Sequence, residues 1–421
     1  MLENDKLEAI PDEVLPSDVA FETPSAAEPP RSTKPPGPRL FEALLWCLGM
    51  QGAHLIGGIM TFVGIIAYVL VSRGAQVADQ DVIKKLLDDI PKSYLVPLIS
   101  GEMFVFVAIA TVACWWRIGR PFTRRIGLTQ IPSKQLVLML AGTVPLMVFC
   151  GGLHQVCSEL WKELAELVPP FQVFKGLDTN ENLKEFGVGV PLWALVLVIA
   201  VAPAIGEEII FRGVLSRGLI ARYGIGVGVA ITSVLFAAVH LHPAHAAAVL
   251  PLGIYIHVCY LSSRSFTAPV LVHFLNNAIA AVMLTVAPMI AEGQKKLGDA
   301  PDEKSVPVLA MLITGVIAFL TITAIFKCRV RYIVPGQGEW SPGYPSVEVP
   351  PEDVGAVLVA DQCHPVFYYV VLFLGMFATS TLIFGIGEAA KQIDAEPEPV
   401  PAVSALSGSG LQRVSVLGVP H

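Results

Sequence analysis

Long apolar runs separated by short polar stretches dominate the chain from residue 41 to residue 387. A helix rises 1.5 Å per residue, so about 20 such residues cross a hydrocarbon layer about 30 Å thick. That layer holds no water, so every backbone N–H and C=O must be satisfied within the segment, and a helix does so. Nine runs qualify: 41–72, 94–116, 135–153, 188–210, 226–242, 244–262, 267–289, 305–326 and 364–387. The chain is 54% hydrophobic and 15% charged, against about 25% charged in an ordinary soluble domain. Its mean hydropathy is +0.63. The expected fold is an all-α, polytopic transmembrane helical bundle of 8–9 spans, an integral multi-pass membrane protein with the lipid bilayer as its solvent.

Both ends differ in composition. Residues 1–38 mix Glu3, Asp5, Glu8 and Asp12 with prolines and lack the apolar core of a secretory signal; residues 388–421 include Glu396-Pro397-Glu398-Pro399. Such segments bury too little apolar surface to fold, so both are expected to be disordered. The chain thus divides into a tail (1–38), N-terminal helices with an amphipathic loop (39–184), a polar core (185–290), C-terminal helices (291–387) and a second tail (388–421). The net charge of −7 comes largely from the tails, and the absence of a basic stripe argues against a nucleic-acid partner. Seven cysteines form no CxxC pair, so neither a disulfide framework nor a zinc–cysteine site is indicated.

Orientation follows from basic residues in the short loops. Arg117, Arg120, Arg124, Arg125 and Lys134 follow the second run, Arg217 and Arg222 the fourth, and Lys327, Arg329 and Arg331 the eighth. By the positive-inside bias the N-terminus is expected in the cytoplasm, with Lys84, Lys85 and Lys92 as the main discordance. Residues 154–187 mix apolar and charged positions, as an interfacial helix or connector would.

Ionisable side chains at mid-membrane cost about 2.5–3.5 kcal/mol each on the insertion scale, and most runs avoid them. The stretch 203–280 does not: it holds Glu207, Glu208, Arg212, His240, His242, His245, His257, His273, Asn276 and Asn277. Glu208 and Arg212 are four apart, so they share a helical face and can pair, while Glu207 points about 100° away. His273 and Asn277 share a face by the same spacing. If the chain turns at Tyr223-Gly224, Glu207 lies sixteen residues before Tyr223 and His240 sixteen after Gly224. Both then sit about 24 Å from the turn, level with each other. The bland alternative for each residue is a satisfied polar interface. It is the expected reading for His257, for Asn276 against a neighbouring helix, and for His242 and His245 as loop-lining or capping residues.

Three short patterns run in order through this stretch. Glu207-Glu208-Ile209-Ile210-Phe211-Arg212 has the form EExxxR, Phe236-Ala237-Ala238-Val239-His240 the form FxxxH, and His273-Phe274-Leu275-Asn276-Asn277 the form HxxxN. With Phe211-Arg212-Gly213 and Ala268-Pro269 around them, they resemble the CAAX-protease and bacteriocin-processing (CPBP, or Abi) family of intramembrane endopeptidases, related to the Ras-converting CAAX endopeptidase. The resemblance covers about 185–290. It implies a membrane-anchored protein or peptide substrate, prenylated or otherwise lipid-held. It further implies Glu207 as general base toward water with His240 assisting, Glu208 and Arg212 as supporting residues, and His273 and Asn277 as stabilisers of the oxyanion. An imidazole or amide N–H in a dry site suits that last task. The cofactor stays open: the family is often labelled a metalloprotease, and Glu207, His240 and His273 are a donor set that zinc accepts, yet HExxH is absent. Two other functions share the polar cluster: a non-catalytic membrane scaffold or immunity-type regulator, and a proton-coupled transporter, against which no inverted repeat is evident.

Overall fold

The computed structural model of the protein describes residues 35–73, 94–177, 190–296 and 308–394. The Lys84, Lys85 and Lys92 loop and the expected disorder of residues 1–34 and 395–421 lie outside those residues. The helices in chain order are α1 (Leu40–Arg73), α2 (Leu95–Ile118), the short α3 (Phe122–Ile126), α4 (Ser133–Leu167), α5 (Leu192–Ala238), α6 (Pro243–Ser263), α7 (Thr267–Lys296), α8 (Val308–Lys327) and α9 (Pro365–Asp394). All but α3 contain a stretch long and apolar enough to cross a membrane, eight among the described residues. The protein is an all-α, multi-pass membrane bundle. Leu48, Leu55, Phe104, Trp116, Phe319 and Phe373 project outward more than half exposed, as lipid-facing side chains do.

The eight helices account for all nine apolar runs because α5 contains two of them. Gly224 interrupts it with φ 78° and ψ 170°, a conformation essentially reserved for glycine. A Cβ on Gly228 would lie 2.6 Å from the Ile220 Cα, whereas eight residues of straight helix span about 12 Å. The chain therefore reverses at Gly224, where the sequence places a turn. The guanidinium of Arg212 and the ring of Phe236, each twelve residues from Gly224, meet 4.7 Å apart.

Three segments depart from expectation. The interfacial helix expected within 154–187 is instead the continuation of α4, which runs unbroken to Leu167 before a 3₁₀ stretch at Pro169–Leu177. Residues 35–38, expected in the tail, lie along α5: a Cβ on Gly218 would be 2.6 Å from the Gly37 carbonyl carbon, and Arg222 donates to the carbonyls of Pro35, Pro36 and Pro38. At the other end, α9 runs on to Asp394, taking in the first seven residues of the segment expected as a tail.

Residues 330–360, for which periodicity predicts no element, carry a small antiparallel sheet of order β2-β1-β3: β1 Val330–Val334, β2 Gly338–Glu339 and β3 Val357–Ala360. This segment supplies the acids that pair with basic loops. Arg217 bonds Glu348, Arg264 bonds Glu339 at 2.9 Å, and Arg329 and Arg331 bond Asp361 at 3.3 and 3.0 Å. Val347 reaches Gly127 at the C-terminal end of α3, where Val349 N donates to the Arg124 carbonyl. The basic loops after α2, within α5 and after α8 thus meet at one end of the bundle.

The two largest packed clusters dominate the interior of the described residues. One gathers Phe106, Cys114, Phe211, Phe236 and Tyr260; the other gathers Leu138, Tyr255, Ile256, Cys259 and Ile325. Helix α6 contributes to both and is tied to α4 by Tyr255 Oη donating to the Met139 carbonyl and by Gln135 donating to the Ser262 carbonyl. These ties hold the polar residues of α5 in register with those of α6 and α7.

Candidate active site

Helix α5 carries both glutamates on a short α-helical piece, Ala202–Glu208, between two π-helical stretches, Val196–Val201 and Ile209–Leu215. A π turn bonds i to i+5 and disturbs the ladder on either side, and such turns recur at functional sites. Here the Ile199 carbonyl, inside the first stretch, accepts from Asn277 Nδ2 on α7 at 3.0 Å. That contact fixes α7 against α5 beside the glutamates.

Glu208 and Arg212 pair as their spacing predicts: Arg212 Nη1 donates to Glu208 Oε1 at 2.8 Å, and both side chains are fully buried. Arg212 Nη2 also donates to the Gly253 carbonyl at 2.8 Å, and its guanidinium lies over the Phe236 ring. Spacing alone does not reveal the third partner, which comes from another helix. His273 Nδ1 lies 2.8 Å from the same Glu208 oxygen. That oxygen already accepts from Arg212, so the proton of the second bond resides on Nδ1, and in the neutral ring Nε2 is a lone pair. The neutral imidazole N–H expected at an oxyanion is therefore spent on Glu208. His273 donates from Nε2 only as an imidazolium.

His240 sits just beyond the end of α5. Its Nδ1 lies 2.9 Å from the Phe236 carbonyl, which can only accept, so Nδ1 carries the proton and Nε2 is left with its lone pair. Leu241 follows in the left-handed region at φ 64°, ending the helix and turning the chain into α6; a side chain there costs about 1–2 kcal/mol. Phe236 is the hub: its ring packs edge-on against both His240 and His273, with centroids at 5.6 and 5.7 Å. The motif's phenylalanine is thus the wall between the two imidazoles and the seat of Arg212.

Glu207, half-buried beside Glu208, has one oxygen, Oε2, that is enclosed yet accepts no hydrogen bond. The two neighbours differ as their 100° offset requires: one carboxylate is engaged by Arg212 and His273, the other is not. Asn277 uses one amide proton on Ile199 and accepts from Asn276 at 2.9 Å, so Asn276 bonds its neighbour in the chain rather than another helix. His257 shares a 2.8 Å hydrogen bond with Ser216, the interhelical role expected of it. His242 makes no capping bond and packs instead near Trp161, and the His245 ring lies 4.9 Å from that of His240. Among the described residues no three His, Cys, Asp or Glu side chains are gathered to hold a metal ion. Glu207, His240 and His273 form no such group, although the Nδ1 bonds to Glu208 and to the Phe236 carbonyl leave Nε2 of both rings with a lone pair, as in a metal-ligating histidine.

No curated protein and no solved structure matches the chain significantly. Residues 189–279, which hold every residue of this cluster, match the profile of the Rce1-like type II CAAX prenyl endopeptidases. The match falls on the segment that carries the EExxxR, FxxxH and HxxxN motifs and supports the resemblance to the CAAX-protease family drawn from them.

Proposed function

We propose that the protein hydrolyses a peptide bond of a membrane-anchored protein or peptide, with a water activated between Glu207 and His240. The observation that carries this reading is the contrast between the two glutamates: Glu208 is engaged by Arg212 and His273, whereas Glu207 Oε2 accepts nothing. A carboxylate and an imidazole Nε2 lone pair are two acceptors, and one water has two protons to give them. Glu207 takes a proton as the water oxygen attacks the peptide carbonyl, His240 orients the attacking water, and the C–N bond then breaks as Glu207 passes that proton to the departing amine nitrogen. The second amide proton of Asn277 is free for the developing oxyanion. His273 serves there only in its doubly protonated form, and otherwise holds Glu208 in place.

The end of the bundle where Arg124, Arg217, Arg264 and Arg331 meet faces the cytoplasm on this reading, which puts the N-terminal side of α1 there as well. The test reconstitutes wild type and Glu207→Ala in vesicles with lipidated and transmembrane reporter peptides and identifies new termini by mass spectrometry. Wild type should cleave and Glu207→Ala should not. Equal cleavage by both would remove Glu207 from this role, and no cleavage by either would favour the scaffold.

A further inference from the structure

Helices α1 and α2 lie outside 189–279, yet each carries an ionisable residue within its apolar length: His54 and Glu102. They face each other, His54 Nδ1 to Glu102 Oε1 at 3.1 Å, both side chains about three-quarters covered or more. The His54 ring stacks on Phe106, one turn along α2 from Glu102, with centroids 3.9 Å apart and planes 20° apart. Phe106 is fully buried, and its ring fills the space where a side chain at position 206 would go: a Cβ on Gly206 would meet Phe106 Cζ at 3.0 Å and Cε1 closer still. Gly206 is the residue before Glu207. On the same face of α1, one turn earlier, Gln51 donates to the Val239 carbonyl, and Val239 is the residue before His240.

Ionisable side chains in spans are rare and face bundle interiors or polar hollows, and a lone His–Glu pair could do no more than satisfy itself. Here it does something further. The pair holds the Phe106 ring, and the edge of that ring fills the space at Gly206, where the lack of a side chain lets α2 approach α5 next to the general base. We propose that His54, Glu102 and Phe106 are positioning residues that fix the α5 backbone at Gly206 and so aim Glu207, while Gln51 holds the C-terminal end of α5 at Val239, beside His240. The proposal rests on Glu207 being the base.

Its test has two readouts in vesicle-reconstituted protein. Amide hydrogen exchange over residues 202–210 should rise about tenfold or more in His54→Ala and Glu102→Ala and stay at the wild-type rate in Glu102→Gln, which keeps an acceptor for His54. Cleavage of the reporter peptide should show kcat lowered about tenfold or more in the two alanine variants with KM within about twofold, because a small misplacement of a reacting group costs rate rather than binding. Gly206→Ala should lose kcat likewise, and Phe106→Ala in the same chain should restore part of it by making room. Unchanged exchange in both alanine variants overturns the proposal whatever the rates, and faster exchange with unchanged kcat overturns it too. A Glu207→Gln chain that cleaves like wild type instead refutes the base assignment, an outcome separate from the exchange result.

Discussion

Replacing Arg212 by methionine removes the guanidinium paired with Glu208. Arg212 is completely buried, gives one hydrogen bond to Glu208 and one to the Gly253 carbonyl, both at 2.8 Å, and covers the Phe236 ring. Its loss leaves a carboxylate in an apolar interior with His273 as its sole donor, and a carbonyl of α6 with none from the guanidinium. Breaking a buried pair by removing one partner costs about 3–5 kcal/mol, whereas replacing both is often close to neutral. Arg212→Met should therefore destabilise by about 3–5 kcal/mol, and Glu208→Gln with Arg212→Met by at least about 1 kcal/mol less. Arg212→Lys should fall between wild type and the methionine variant, because an ammonium lacks the fork that reaches Glu208 and Gly253 together. The assay is reversible unfolding in mixed detergent micelles followed by near-ultraviolet circular dichroism. An Arg212→Met chain within about 0.5 kcal/mol of wild type, or a double variant less stable than the single, would refute the reasoning.

Three further outcomes follow from other parts of the molecule. Gly224→Ala should cost about 1–3 kcal/mol in the same unfolding assay with the fold retained, since a Cβ meets nothing within 4 Å and only the backbone conformation is strained. Gly218→Ala should release residues 35–38 from α5, read as faster proteolysis near Pro35–Pro38, because the added methyl would meet backbone atoms of Gly37 and Pro38. A chelator should leave peptide cleavage by the wild type within about twofold, as expected if Glu207, His240 and His273 do not act as a ligand set; loss of activity restored by zinc would contradict that.

The bundle is legible in the sequence because membrane spans declare themselves by length and hydropathy, and the turn at Gly224 because a glycine follows Tyr223 midway between two apolar runs. The Glu208–Arg212 pair is legible because helical spacing is local. What spacing does not carry is the partner from another helix: that His273 binds Glu208 rather than standing free depends on how α7 packs on α5, and it alters which imidazole nitrogen is available. The His54–Glu102 pair is hidden for the same reason, two isolated polar residues in separate runs with no motif between them. The sheet at residues 330–360 escaped because its strands are short and depend on pairing with one another and on the arginines they neutralise, not on a period of their own.

One water shared by Glu207 and His240 would be seen directly in a high-resolution experimental structure in a lipidic phase. An ordered solvent oxygen should lie within about 2.6–3.2 Å of both a Glu207 carboxylate oxygen and His240 Nε2, with His240 Nδ1 still on the Phe236 carbonyl. A Glu207 carboxylate turned toward lipid, or tied by a direct salt bridge with no solvent between it and His240, would contradict that sharing.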